Sequence, residues 1–347
     1  MSCLEYNMFQ INDDNVKEIG DKQGVKLIEN LMEKVIDGKQ ISFKDAENLL
    51  STNEIHTLFN CANNITRKFN GDLVDIETLI NAKSGNCPED CSFCAQSSLY
   101  NNKTGINKYS LLPKNVIVEQ ALRAKNEGAS SFCLVCAYRF PPEKDFEYIC
   151  QTIQEIKKNI AIDVNVSLGF LTRDKARKLK TLGVKRYNHN LEAAESFFSQ
   201  ICKTHDFTDR MNTARIVKEE GLELCSGGII GMGESAKQRL ELAFSLSSLQ
   251  PNEVPINILI ARDGTPLANL TPLDPIEAIK TIAVWRFIMP KTILKIAGGR
   301  EVHLKDKEKI ALKAGANGII TGGYLTTTGN NSSKDITMIK EIGLKTE

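Results

Sequence analysis

Charge of one sign is missing from this 347-residue sequence, in which 44 basic residues face 43 acidic ones. Without an excess there is no broad field to hold a nucleic-acid backbone or an acidic membrane surface, so no nucleic acid and no membrane is expected as a partner. A small molecule is expected instead. Long apolar runs are missing too, since none approaches the roughly 20 residues that cross a bilayer. The start, MSCLEYNMFQINDDN, has neither the basic nor the apolar part of a secretory signal. A cytoplasmic, reducing location follows as the expectation. Disulfides are not expected there, and those of the ten cysteines that cluster read first as metal ligands or reactive groups.

A glycine-rich first βα turn with an acidic residue after it is also lacking, which argues against a doubly wound dinucleotide-binding sheet. GGIIGMGE, at 227–234, comes only after the fifth apolar run. What the chain does have is eight short apolar runs, at 75–83, 130–137, 161–168, 184–189, 222–227, 254–261, 292–297 and 317–322. Helix-like stretches separate them at 116–126, 146–158, 173–181, 208–220, 237–249, 275–287 and 305–314. This alternation predicts an α/β fold, a (β/α)8 TIM-type barrel over 71–345, preceded by an N-terminal helical extension over 1–70. The extension has helical patterns at 25–36 and after Ser42, a candidate N-cap, and Cys3 there reads as an isolated thiol. In a barrel of this kind the chemistry belongs at the C-terminal ends of the strands.

Just past the first predicted strand, GNCPEDCSFCAQSS carries Cys87, Cys91 and Cys94 in the spacing CxxxCxxC. Three thiolates so close together can bind three irons of a 4Fe-4S cubane and leave the fourth without a protein ligand. A structural zinc site is the bland alternative, but it wants four closed ligands, and no fourth Cys or His is near in the sequence. CxxxCxxC with Phe93 immediately before the last cysteine resembles the signature of the radical S-adenosylmethionine superfamily. That resemblance implies an open iron that chelates S-adenosylmethionine, with one electron cleaving its sulfonium. The radical released must then be oriented and shielded from solvent.

The remaining motifs narrow the resemblance. Over about residues 40–345 the chain is similar to biotin synthases at SGNCPEDCSFCAQSS, YNHNLE, CSGGIIGMGE, VPINIL, GTPLA, TIAVWRFIMP, AGGRE and LTTTGN. Asn188 and Asn190, two apart at the end of the fourth run, should point the same way, and Asn257 ends the sixth. Amides both donate and accept, as a cyclic urea does, although asparagines bonded to loop backbone are the ordinary alternative. The resemblance implies that Asn188, Asn190 and Asn257 hold the ureido ring of dethiobiotin and that Thr327 and Thr328 bind its carboxylate. It also implies that Asn190 and Glu192, where the family usually has Asp, contact the ribose of S-adenosylmethionine and that Arg210 meets its carboxylate; an exposed helical Arg is the alternative. No acid or base catalyst is expected. His189 is left out of the site, and the glycines of GGIIGMGE are expected to let backbone approach the cofactor.

Biotin synthases generally carry a second, two-iron cluster held by three cysteines and an arginine. Cys133 and Cys225 match two of these positions, but Asn165 and Lys295 stand at the other two, and neither is an ordinary iron ligand. SFCLVCAY adds Cys136 three residues after Cys133. A four-iron auxiliary cluster on Cys133, Cys136 and Cys225, able to carry the sulfide to be donated, is therefore expected; Cys136 as a small buried hydrophobe is the alternative. Cys61, Cys150 and Cys202 fall on predicted helices and read as core or surface thiols. The expected activity is that of a sulfurtransferase joining sulfur to dethiobiotin, with flavodoxin or ferredoxin as electron donor and a homodimer as the working form. Two other readings remain: a radical enzyme acting on a different small molecule, which would accumulate 5'-deoxyadenosine without biotin, and a redox sensor, which would turn over no S-adenosylmethionine.

Overall fold

The computed structural model describes residues 22–346, so Cys3 lies outside the described residues. Its strands are β1 (Leu73–Lys83), β2 (Ser131–Cys136), β3 (Asp163–Ser167), β4 (Arg186–Asn188), β5 (Glu223–Cys225), β6 (Gly228–Ile230), β7 (Glu253–Ile258), β8 (Ile293–Ile296), β9 (Gly318–Thr321) and β10 (Lys345–Thr346). Eight of them pair in parallel in the order β1-β2-β3-β4-β5-β7-β8-β9, and β9 returns to β1 through Asp75↔Gly318 to Thr78↔Thr321. The result is a closed (β/α)8 barrel, and each of the eight apolar runs supplies one of its strands.

The strand parity explains what fills it. Val74, Ile76, Phe132, Leu134, Val164, Val166, Leu224, Val254, Ile256, Leu294, Ile296 and Ile319 are all buried on one face, in the core shared with the helices. Their neighbours, one residue on or back, point the other way. These include Asp75, Glu77, Cys133, Asn165, Arg186, Asn188, Cys225, Glu253 and Lys295. The hydrophobic layer therefore surrounds the barrel, while its interior carries charged groups and thiols together with Leu79, Val135 and Ile320.

The helices of the barrel layer include α4 (Lys114–Asn126), α5 (Glu143–Asn159), α6 (Arg173–Thr181), α7 (Glu195–Ile201), α8 (Phe207–Glu219), α9 (Ala236–Leu249) and α10 (Pro275–Ile288), after α1 (Lys22–Ile36), α2 (Phe43–Ser51) and α3 (Ile55–Asn70) of the N-terminal region. Ser42 does cap α2, in a reciprocal box with Asp45. Helix α3 has no counterpart among the sequence patterns; it packs with α1 and α2 around α10. This covering explains why α10 is buried without interruption from Ala278 to Ile288 instead of showing one apolar stripe.

The glycines of GGIIGMGE have a packing reason. A Cβ on Gly227 would lie 1.9 Å from the Pro255 carbonyl oxygen, and one on Gly228 would lie 2.6 Å from that of Glu192. Backbone from β4 and β7 closes on this bend between β5 and β6, so the close approach is made by the protein's own chain. No helix among the described residues is long and apolar enough to cross a membrane.

Candidate functional site

One cavity of roughly 420 Å³ opens where the strands end. Its lining includes Cys87, Cys91, Phe93, Cys94, Cys133, Cys136, Asn188, Asn190, Glu192, Arg210, Cys225, Asn257 and Thr327. The six named thiols are free cysteines. Thr328 is exposed and outside the lining, with Thr326 in its place beside Thr327.

The rim is built by the loop after β1. Asn86 takes a left-handed φ of 56°, and the Cys87 N–H donates to Gln96 O at 3.0 Å while the Ser98 N–H donates to Cys87 O at 2.7 Å. Cys91 and Cys94 are tied by a turn, with the Cys94 N–H on Cys91 O at 2.9 Å. Burial raises the Cys87 thiol and pushes Cys94 up to about 11. A bound metal favours the charged form of such buried thiols. Arg210 is the cation at hand. Its Nη2 lies 3.8 Å from Cys91 Sγ, Nη1 donates to Asn190 O at 2.9 Å, and the guanidinium sits over the Phe198 ring. It is a lining residue and not an exposed helical Arg. Three thiols converging on an open cavity beside an arginine fit an iron-sulfur cluster with one free iron.

The wall carries the asparagines. Asn190 Oδ1 accepts from Gly227 N at 3.0 Å, and Asn257 both donates to Gly228 O at 3.2 Å and accepts from Gly298 N at 3.0 Å. Both amides are thus bonded to backbone while still bordering the cavity. Asn188 differs: Nδ2 donates to Cys133 Sγ at 3.4 Å, and its buried Oδ1 has no partner. An orphaned acceptor facing a cavity suits a ligand N–H. Glu192, with a left-handed φ of 69°, is raised by burial that Arg210 and Asn190 only partly offset.

The floor is a cage of buried charge. Lys295 Nζ lies 2.8 Å from oxygens of Asp75, Glu77 and Glu253 alike. Burial opposes its charge, yet these carboxylates hold the ammonium protonated well above its ordinary range. Arg186 bridges Glu253 and Glu223, Asn165 Nδ2 donates to Glu77 at 2.8 Å, and Cys225 Sγ donates to Glu253 Oε1 at 3.2 Å. Burial raises Glu253, whereas at Glu77 the same penalty is outweighed by Lys295 and Asn165. Lys295 and Asn165 are committed to carboxylates, so the donors left to a floor cluster are the thiols. Cys133 and Cys225 face inward. Cys136 shares parity with Phe132 and Leu134 and packs in the core, but as the last residue of β2 it also borders the cavity, beyond a register break opposite Asn81 and Lys83.

Several residues in or beside the lining were not anticipated. His189 borders the cavity, with an unpartnered Nε2, instead of facing away. Cys202 is not an isolated helical thiol: it follows α7 and lies 3.9 Å from Cys91 Sγ and 3.2 Å from His205 Nδ1. Hydrogen bonding from Cys91 outweighs burial and, helped by His205 and Thr204, takes Cys202 down to about 5. Arg262, donating to Thr104 O and Thr326 O, puts a second cation on the rim. A basic residue five past Asn257 was the available signal for it; nothing local marked the approach of Cys202 to Cys91.

Comparison with known proteins gives two family matches, the radical SAM superfamily over residues 82–246 and the biotin and thiamin synthesis associated domain over 255–345. The chain is 50% identical over 325 residues to the biotin synthase of Nitrosopumilus maritimus, covering 93% of this chain and 99% of that one. It is 49% identical to the biotin synthase of Cenarchaeum symbiosum, covering 90% and 98%, and 41% identical to that of Pelotomaculum thermopropionicum, covering 92% and 99%. Among solved structures, methylornithine synthase superposes with a TM-score of 0.78 at 20% identity, covering 91% of this chain and 97% of that one. The FeFe-hydrogenase maturase HydG from Carboxydothermus hydrogenoformans gives 0.79 at 17%, covering 93% and 79%. At these identities the two structures speak for the fold.

Proposed function

The chain belongs to the biotin synthase family of radical S-adenosylmethionine enzymes, and we propose that its side chains divide the conversion of dethiobiotin to biotin between two thiol sites facing one cavity. Cys87, Cys91 and Cys94 hold the 4Fe-4S cluster, and Cys133, Cys136 and Cys225 hold a four-iron auxiliary cluster. When bound, the first cluster and S-adenosylmethionine supply hydrogen abstraction by one-electron cleavage of the sulfonium, and the auxiliary cluster supplies the sulfur.

The chain's own part is positioning and exclusion of water. Arg210, beside Cys91, balances thiolate charge and offers donors to the S-adenosylmethionine carboxylate; Phe93, Asn190 and Glu192 flank that end. Asn188 offers its orphaned oxygen to a ureido N–H while its amide hydrogen bonds Cys133, so one side chain spans substrate and sulfur source. Asn257 contributes the capacity its backbone bonds leave free. Thr327 takes the substrate carboxylate at the open end, where Arg262 adds charge, and Thr328, expected beside it, lies outside the cavity lining. Lys295 and Arg186 offset part of the negative charge of the carboxylates beneath Cys133 and Cys225.

The reading extends to residues 1–70 as an N-terminal extension, of which α1 to α3 pack on α10, and 71–345 as the catalytic barrel, to a cytoplasmic homodimer, and to flavodoxin or ferredoxin as electron donor. The observation that carries it is the convergence of six free thiols on one cavity. The test is anaerobic reconstitution with iron and sulfide, iron counting, and assay of dethiobiotin with S-adenosylmethionine and reductant, comparing the wild type with Cys136→Ala. About eight irons, biotin formed, and loss of roughly four irons in the variant are expected. Eight irons retained in Cys136→Ala would remove that cysteine from the floor site; about four in the wild type and no biotin would overturn the two-site reading.

A further inference from the structure

Cys91 has neighbours that neither cluster uses. The Ser92 N–H donates to Ile201 O at 2.8 Å, which brings the end of α7 against the cysteine loop and sets Cys202 beside Cys91. Cys91 Sγ, Cys202 Sγ and a ring nitrogen of His205 lie within 4.8 Å of one another, and all three residues are buried. The Sγ–Sγ separation is 3.9 Å, and Cys202 Sγ is 3.2 Å from His205 Nδ1 and 3.7 Å from Nε2. A tetrahedral ion with Zn–S near 2.3 Å and Zn–N near 2.0 Å has S···S edges of about 3.8 Å and S···N edges of about 3.5 Å. Two of the trio's edges, Cys91–Cys202 and Cys202–His205, are already close to those values, and the third lies within 4.8 Å.

We propose that in the cluster-free chain Cys91, Cys202 and His205 form a mononuclear site for a divalent ion of zinc or ferrous type, and that this site and the S-adenosylmethionine cluster exclude each other because both need Cys91. Two thiolates and an imidazole are the donor set that selects such ions over magnesium or calcium. Binding releases two protons to solvent, one from Cys91 and one from the Cys202 and His205 pair, so the neutral trio becomes a neutral metal complex. Glu89, 2.5 Å from His205 Nδ1, and Asp90, 3.1 Å from Cys202 Sγ, are placed to orient the ligands. Nothing here needs the three-cysteine cluster to form; only the mutual exclusion rests on that reading.

The probe is Co²⁺ added to the anaerobic, cluster-free full chain, followed by its thiolate charge-transfer and tetrahedral ligand-field absorption, with Zn²⁺ as displacer. One Co²⁺ per chain is expected, with affinity weakened about 100-fold in Cys202→Ser and less than about threefold in Cys94→Ser. His205→Gln gives an independent variant should Cys202→Ser fail to fold. No tetrahedral Co²⁺ spectrum in the wild type, or equal losses in Cys202→Ser and Cys94→Ser, would overturn the site. Co²⁺ bound undiminished by the reconstituted, cluster-bearing chain would overturn only the mutual exclusion and leave the mononuclear site standing.

Discussion

The rim and the floor of the barrel hold three candidate ligand thiols each, and they are built by opposite means. At the rim, Cys87, Cys91 and Cys94 come from one loop whose turns fix them, so their geometry is local and needs no other strand. At the floor, Cys133, Cys136 and Cys225 come from two strands, and their surroundings are set by Lys295, Arg186 and three carboxylates from yet other strands. A loop site can fail without disturbing the barrel. A floor site shares its supports with the fold, so changes there should appear in stability as well as in chemistry.

The sharpest break of this comparison is Cys91→Ala. It should abolish both biotin formation and S-adenosylmethionine cleavage while the reconstituted chain keeps the floor's share of iron, about four per chain. Iron analysis and product assay on the same sample decide it, and loss of all iron would mean that the two sites are not independent.

Lys295→Met tests the floor's other property. Removing the ammonium leaves Asp75, Glu77 and Glu253 with Arg186 as their main buried cation, and an uncompensated buried charge costs about 3–5 kcal/mol. Urea unfolding of the cluster-free chain should show that loss. A change under about 1 kcal/mol would mean that the carboxylates simply take up protons, and the cage would then count for less than its distances suggest.

How much of this could be read beforehand follows the same division. Strands such as SFCLVC and DVNVS are legible because they are buried on both faces, and CxxxCxxC is legible because its ligands are neighbours in sequence. The parity of Asn188 and Asn190 put both at the cavity. That the amides of Asn190 and Asn257 would be bonded to backbone, at Gly227 and Gly228, depends on how the chain after β4 and strand β7 close on a bend that only the fold creates. Cys202 was invisible for the same reason: 111 residues separate it from Cys91, and the backbone bond that joins them belongs to no repeated pattern. The departures at Asn165 and Lys295 were readable as departures, but the carboxylates that claim both side chains lie on other strands.

Asn188 links the two regions, since it touches Cys133 and offers an unpaired oxygen to the cavity. Asn188→Ala should raise the KM for dethiobiotin by about ten- to a hundredfold, the worth of one or two hydrogen bonds to a buried ligand. Slow S-adenosylmethionine cleavage should persist, which separates loss of substrate grip from loss of the rim site. An unchanged KM would take Asn188 out of substrate binding.

The smallest effect belongs to a region that touches neither site. Ser42 and Asp45 cap α2, which packs on α9 and α10 outside the barrel. Ser42→Ala should cost about 1 kcal/mol and leave iron content, KM and turnover unchanged. Burial slightly opposes the charge on Asp45, but hydrogen bonds from Ser42, backbone first, together with Lys34, lower it below its ordinary value. The cap's electrostatic share is therefore fully present above the ordinary carboxylate range and is lost as pH falls through the lowered one. Wild type and Ser42→Ala should accordingly converge in stability in acid. Divergence there, or a change in iron content at neutral pH, would show that the outer helices are coupled to the barrel interior through α9 and α10, on which α2 packs.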